Sequence, residues 1–223
     1  MIRDFTLVHL AYLASALRWT IGLSLIAFVG GGLAGAVVAI SRVLPSTSAR
    51  LVTAGYIQLV QGIPLLIQLF LVYFGLSLVG LRVDAWTSVS VALTIYCSAF
   101  LGEIWRGAIQ AVPREQWEAA TALALGYAKS LRLVILPQAI RLAIPPTVGF
   151  MVQIIKGTSL ASIVGFVELT RAAQIVNNIT FRPMLVYTII AAMYFALCWP
   201  ISLASRVLER RIGTRIGHSQ QIL

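Results

Sequence analysis

Charge is scarce in this sequence. Only 11% of its 223 residues are Asp, Glu, Lys or Arg, where a soluble domain carries about 25%. Hydrophobic residues fill 59% of the chain and the mean hydropathy is +0.91. A water-soluble globule of this size could not hide so much apolar surface. The same shortage of polar residues excludes intrinsic disorder. Cysteine is nearly absent, with 2 residues, which excludes a disulfide scaffold. The class that remains is an all-α integral membrane protein.

Other absences narrow its chemistry. His9 and His218 sit near opposite ends, and no His, Cys and carboxylate cluster has metal-binding spacing. No Ser or Cys has a base of catalytic type close by in sequence. Lysine occurs only at Lys129 and Lys156, preceded by Ala128 and Ile155. Without a Gly-Lys pair no phosphate-cradling P-loop can be built, so the chain does not hydrolyse ATP by that route. Any energetic work must draw on a partner or an ion gradient. Net charge is +10, but no basic run is interleaved with aromatics, so no nucleic-acid partner is expected. The positive excess reads as loops held on the cytoplasmic side, near anionic lipid headgroups.

The few charges act as fences around uncharged stretches. Residues 19–41, 51–81, 85–102 and 183–205 contain none, and 142–167 contain only Lys156. A helix needs about 20 apolar residues to cross the hydrocarbon. About five transmembrane helices are predicted, at 19–41, 51–79, 85–105, 142–163 and 183–205, in one domain. An odd number places the termini on opposite sides. With the N-terminus outside, the inner loops hold Arg42, Arg50, Arg106, Arg114, Lys129, Arg132, Arg141, Arg206, Arg210, Arg211 and Arg215. The outer side then holds only Arg3, Arg18, Arg82, Arg171 and Arg182. This bias favours N-outside and C-cytoplasmic.

Residues 1–18 end in Ala14-Ser15-Ala16, which imitates a signal-peptide cleavage site. Asp4 and His9 spoil that pattern, and an outer lead-in helix with Trp19 as interface anchor is expected instead. Gly31 and Gly35 lie four apart in VGGGLAG, a spacing that lets two helix backbones approach closely, within the bundle rather than across a dimer seam. Cys97 and Cys198 fall inside spans and read as small core residues.

The informative connection is the inner loop, residues 106–141. Pro113 can open a helix, with Glu115 and Glu118 in its first turn, where acids suit the positive helix end. Ala119, Ala120, Ala122 and Ala124 then give it little bulk. Pro137 is expected to break the pattern, and Pro145-Pro146 to force a second irregularity. Two readings stand on spacing alone: a smooth helix that fits a groove in another protein, or an interfacial helix resting on headgroups.

The loop resembles the signature loop of inner-membrane permease subunits of ATP-binding-cassette importers. That pattern is Glu-Ala-Ala, three residues, Gly, nine residues, Ile, one residue, Leu-Pro. Glu118-Ala119-Ala120 and Leu136-Pro137 have the right separation, while Ala124 replaces the usual Gly and Val134 the usual Ile. Either Gly126 takes over the turn or the helix runs straighter. QGIPLLIQLF (residues 61–70, with Gln61 where Arg is common), GEIWRGAIQAV (102–112), LPQAIRLAIPP (136–146) and KGTSLASIVGFVEL (156–169) resemble the polar amino acid branch, in order.

The resemblance implies a type I importer bundle in a bacterial inner membrane. It implies a second permease subunit, identical or related, and an extracytoplasmic binding protein that delivers the amino acid. It also implies two ATPase subunits, which carry ATP and Mg; this chain itself holds no cofactor. Coupling is expected through residues 115–137, above all Gln116, Trp117, Glu118, Ala119, Ala120, Leu123, Ala124 and Gly126. Bulk at Ala120 is expected to impair coupling more than folding, and Glu118 is expected to anchor the helix to the loop or to a partner Arg.

Ionisable groups within spans are costly and often functional. Glu103 and Arg106 have the spacing of a snorkelling pair near the inner end of span three. Lys156 is placed in the outer half of span four, either facing the pathway or reaching for headgroups, with Thr158 and Ser159 beyond it. Lys156→Met should cut transport and leave assembly intact if it faces the pathway. Glu103, Thr158 and Ser159 are further pathway candidates, as are Gln58, Gln61, Gln68, Tyr96 and Gln153, for which hydrogen bonding between helices is the competing role. The alternative function is a secondary transporter or channel subunit working without ATP, which would call for inverted repeats or more intramembrane charge.

Overall fold

The structure, a computed structural model, describes residues 4–81 and 83–220, with side chains up to residue 212. Arg3 and Arg82 lie outside the described residues, as do the side chains of Arg215 and His218. Among the described residues, four helical stretches are long and apolar enough to cross a membrane, and a bent pair makes a fifth span if counted as one.

α1 (Leu7–Val43) is one continuous helix of 37 residues. The lead-in expected over 1–18 is therefore not a separate element, because no proline interrupts the run from Leu7 onward. Its glycines face α4 (Ala85–Gln110), its most extensive packing partner. A Cβ on Gly31 would stand 2.4 Å from the Cβ of Cys97, and one on Gly35 would stand 3.0 Å from the Ser98 carbonyl oxygen. From the other side, a Cβ on Gly102 would come within 2.7 Å of Val38. The glycine stripe is thus a seam inside the bundle.

The stretch expected as one helix over 51–79 is broken. α2 (Thr47–Gly62) and α3 (Leu65–Leu78) meet at 101°. Pro64 lacks an N–H and disfavours helical geometry in the residue before it, and Ile63 is accordingly extended at φ −103°, ψ 129°. Asp84 caps α4, its carboxylate accepting from the Thr87 hydroxyl at 2.6 Å.

α5 (Arg114–Ala122) and α6 (Tyr127–Ser130) follow. Pro137 does not break the chain as expected. A π-helical turn at Leu131–Ile135 absorbs its missing donor, and α7 (Leu136–Gly157) continues directly from it. Nor do Pro145 and Pro146 interrupt α7. The Ser205 hydroxyl donates to the Pro145 carbonyl at 2.9 Å, a bond separate from the carbonyls of Arg141 and Leu142 that the two prolines deprive of a donor. A 3-10 turn (Thr158–Val164) leads to α8 (Leu169–Thr180) and then α9 (Pro183–Gln220), which runs through Pro200.

Leu23, Leu69, Leu93 and Leu101 centre the main core, formed by α1, α3, α4 and α7. A second core around Leu13, Leu169 and Val186 joins α1, α8 and α9. A third, around Ile109, Leu131 and Ile135, secures the loop that holds α5. Large apolar side chains such as Leu33 (71% exposed) and Leu71 (58%) coat the exterior, as a lipid environment requires.

Candidate functional site

α5 presents two faces. Ala120 is its one buried residue, at 2% exposure, and Gln116 and Trp117 are half-buried. Glu118, Ala119, Ala122 and Leu123 point outward, Leu123 with 75% of its surface free. Bulk at Ala120 was expected to impair coupling more than folding; Ala120 packs against its own chain, so bulk there bears first on the seating of α5 itself. Glu118 forms no hydrogen bond or ion pair among the described residues, which leaves its carboxylate open.

The inward face is tied to two long helices. Gln138 on α7 donates through Nε2 to Gln116 Oε1 at 3.1 Å and to the Val134 carbonyl at 2.9 Å. Trp117 stacks on Tyr127 with ring centroids 5.6 Å apart. The Tyr127 hydroxyl in turn donates to the carbonyl of Val43, at the end of α1. Gln116 and Trp117, expected among the coupling residues, are engaged with the body of their own chain.

Ala124 shows why the signature pattern usually has Gly there. Its φ is +57°, in the left-handed region that strains any residue with a Cβ. The turn is a Schellman motif: Leu125 N–H bonds the Ala120 carbonyl at 3.1 Å and Ala124 N–H bonds that of Thr121 at 2.9 Å. Gly126, with φ −67°, does not take over the turn, and the helix does not run on.

The candidate pathway residues separate in space. Lys156 is exposed and lines a 410 Å³ groove along α9 with Tyr194, Cys198 and Arg206. Gln58, Gln61 and Gln153 are exposed elsewhere, outside this groove's lining. Tyr96 lies against Phe100 with centroids 4.4 Å apart and the rings tilted by 36°. Glu103 accepts from Arg106 Nε at 2.9 Å, the pair expected from their spacing. The Thr158 and Ser159 hydroxyls each donate to a carbonyl three residues back at 2.7 Å. Gln68 is buried at the α2–α3 break and donates to main-chain carbonyls.

Sequence reasoning used Glu168 only as a fence. It is fully buried and caps α8, accepting from the N–H groups of Thr170 and Arg171 and from the Tyr194 hydroxyl, each at 2.9 Å. Thr20 of α1 accepts from Leu169 N–H at 3.2 Å. Burial pushes the Glu168 carboxyl above the ordinary glutamate range, and its hydrogen bonds pull it partly back. The available signal was an acid immediately before a polar helix start. Among the described residues, no three His, Cys, Asp or Glu side chains gather where they could hold a metal ion.

The comparisons agree with this geometry. The chain is 35% identical over 189 residues to the probable glutamine ABC transporter permease protein GlnM of Bacillus subtilis (strain 168), covering 85% of this chain and 88% of the relative. It is 34% identical over 206 residues to that organism's L-cystine transport system permease protein TcyB, covering 92% and 88%. A crystal structure of an amino acid ABC transporter with histidines superimposes with a TM-score of 0.88 at 36% identity, covering 95% of this chain and all of that one. The family description "binding-protein-dependent transport system inner membrane component" matches residues 31–214. The chain therefore belongs to the inner-membrane components of binding-protein-dependent transport systems.

Proposed function

We propose that this chain is the transmembrane permease subunit of an ATP-driven importer of polar amino acids in a bacterial inner membrane. Its N-terminus lies outside and its C-terminus in the cytoplasm. Two permease subunits form the pathway, and an external binding protein delivers the amino acid. Two ATPase subunits, which hold ATP and Mg, grip the exposed face of α5. The observation that carries this reading is the division of α5 into an open face at Glu118, Ala119 and Leu123 and an inner face bonded to α1 and α7. Such a helix is free to be gripped and fastened to what must move. The relatives' names, glutamine and cystine permeases among them, support an amino acid as cargo.

The groove beside α9 is assigned to the pathway. Lys156 and Arg206 give it positive charge within an apolar surround, which suits a carboxylate. The test is purification of the complex with reconstitution into liposomes. An ATPase chain should co-purify, and its turnover should rise when the loaded binding protein is added. A permease that purifies alone and moves amino acids without ATP would overturn the reading.

A further inference from the structure

We propose that Gln68 is a positioning residue that fixes the bend of the broken span and, through Leu65 and Gly157, the place of Lys156. The bend creates a specific problem. In a continuous helix the Val60 carbonyl would accept from the N–H four residues on, but that residue is Pro64, which has none. The Ile63 carbonyl also falls outside both helices. Val60 is buried and Ile63 half-buried, so both carbonyls call for partners within the protein. Gln68 Nε2 donates to Val60 O at 2.6 Å and to Ile63 O at 2.8 Å, using both of its hydrogens. Its own main-chain N–H closes the first turn of α3 on the Pro64 carbonyl at 3.1 Å. One residue thus ties the end of α2 to the start of α3, and its amide donors are spent on the backbone instead of on a substrate.

The angle so fixed matters because of what α3 meets. Leu65, the first residue of α3, rests on Gly157, the last residue of α7, so closely that a Cβ on Gly157 would stand 3.1 Å from Leu65 Cδ2. Gly157 adjoins Lys156 and opens into the 3-10 turn, which also packs on α3. A change in the bend therefore displaces the turn beside Lys156. The link to transport rests on the assignment of Lys156 to the pathway.

The experiment uses the whole complex in liposomes and measures amino acid moved per ATP hydrolysed, a ratio that loss of assembled protein does not change. Gln68→Met keeps the length and removes the donors; Gly157→Ala perturbs the same contact from the other side. Each is expected to assemble and to lower the ratio, Gln68→Met because the bend loses the two hydrogen bonds that set it. The double variant should be little worse than the poorer single one. An unchanged ratio in both single variants, or a fall only in the yield of complex, overturns the proposal. Lys156→Met separates the two ideas. Normal transport there, with a lowered ratio in Gln68→Met, removes Lys156 from the pathway and keeps the bend-setting role. Impaired transport there, with a normal ratio in Gln68→Met, removes the role of Gln68 alone.

Discussion

Gly31 on α1 and Cys97 on α4 leave no space for a side chain between their helices, a Cβ at Gly31 falling 2.4 Å from the Cys97 Cβ. The obstacle is the base of a side chain, which no rotamer change can move aside. Gly31→Ala should cost about 1–3 kcal/mol or more by overpacking. Thermal unfolding in detergent checks this, and Cys97→Gly in the same background should restore part of the loss. Strictly additive effects of the two substitutions would mean that the helices do not meet there.

Ala124→Gly should stabilise the segment around α5. A left-handed residue with a Cβ costs roughly 1–2 kcal/mol, and the greater freedom of glycine in the unfolded chain offsets part of the relief. A net gain of about 0.5–1 kcal/mol is expected. Slower hydrogen exchange at the α5 amides would register it, whereas Ala124→Val should speed the exchange.

Leu123→Glu and Ala120→Trp should fail in different ways. Leu123 is exposed, so its replacement should leave an inserted, protease-resistant chain that no longer retains the ATPase during purification. Ala120 faces inward, so tryptophan there should unseat α5 itself and open the loop to proteolysis. Retention of the ATPase by Leu123→Glu would move the docking surface elsewhere.

Glu168 should make stability depend on acid pH with a definite sign. Burial raises its carboxyl pKa in the native state, while in the unfolded chain it titrates as an ordinary glutamate. The native state therefore holds the proton more tightly. Its contribution is full below the ordinary glutamate pKa and is lost as pH rises through the raised native one. The melting temperature of the parent relative to Glu168→Gln should fall with rising pH over that window and level off above it. A rising difference would show that the hydrogen bonds from Thr170, Arg171 and Tyr194 outweigh burial.

Much of the bundle was legible because charge is expensive in hydrocarbon. Arg18, Arg42, Asp84, Glu103, Arg182 and Arg206 located the apolar runs of α1, α4 and α9. The α2–α3 break was not legible, because the uncharged run from 51 to 81 reads as one span. Pro64 was visible, yet Pro145, Pro146 and Pro200 all lie inside helices. Whether a proline breaks a helix depends on the packing around it, which the residues beside it in sequence do not state. The loop over 106–141 was singled out by its motif, but the face that each alanine presents was not legible. Ala119 and Ala120 are adjacent and chemically alike, and packing against Ile109, Leu131 and Ile135 orients the loop that carries them.

From Tyr127 to Gly157 the backbone is helical without a gap, a shaft about 45 Å long at 1.5 Å per residue. The π turn at Leu131–Ile135 and the Pro145-Pro146 pair are the points along it where bending is easiest. No loop separates the Tyr127 end from the neighbourhood of Lys156, so a displacement at one end has only helix through which to reach the other.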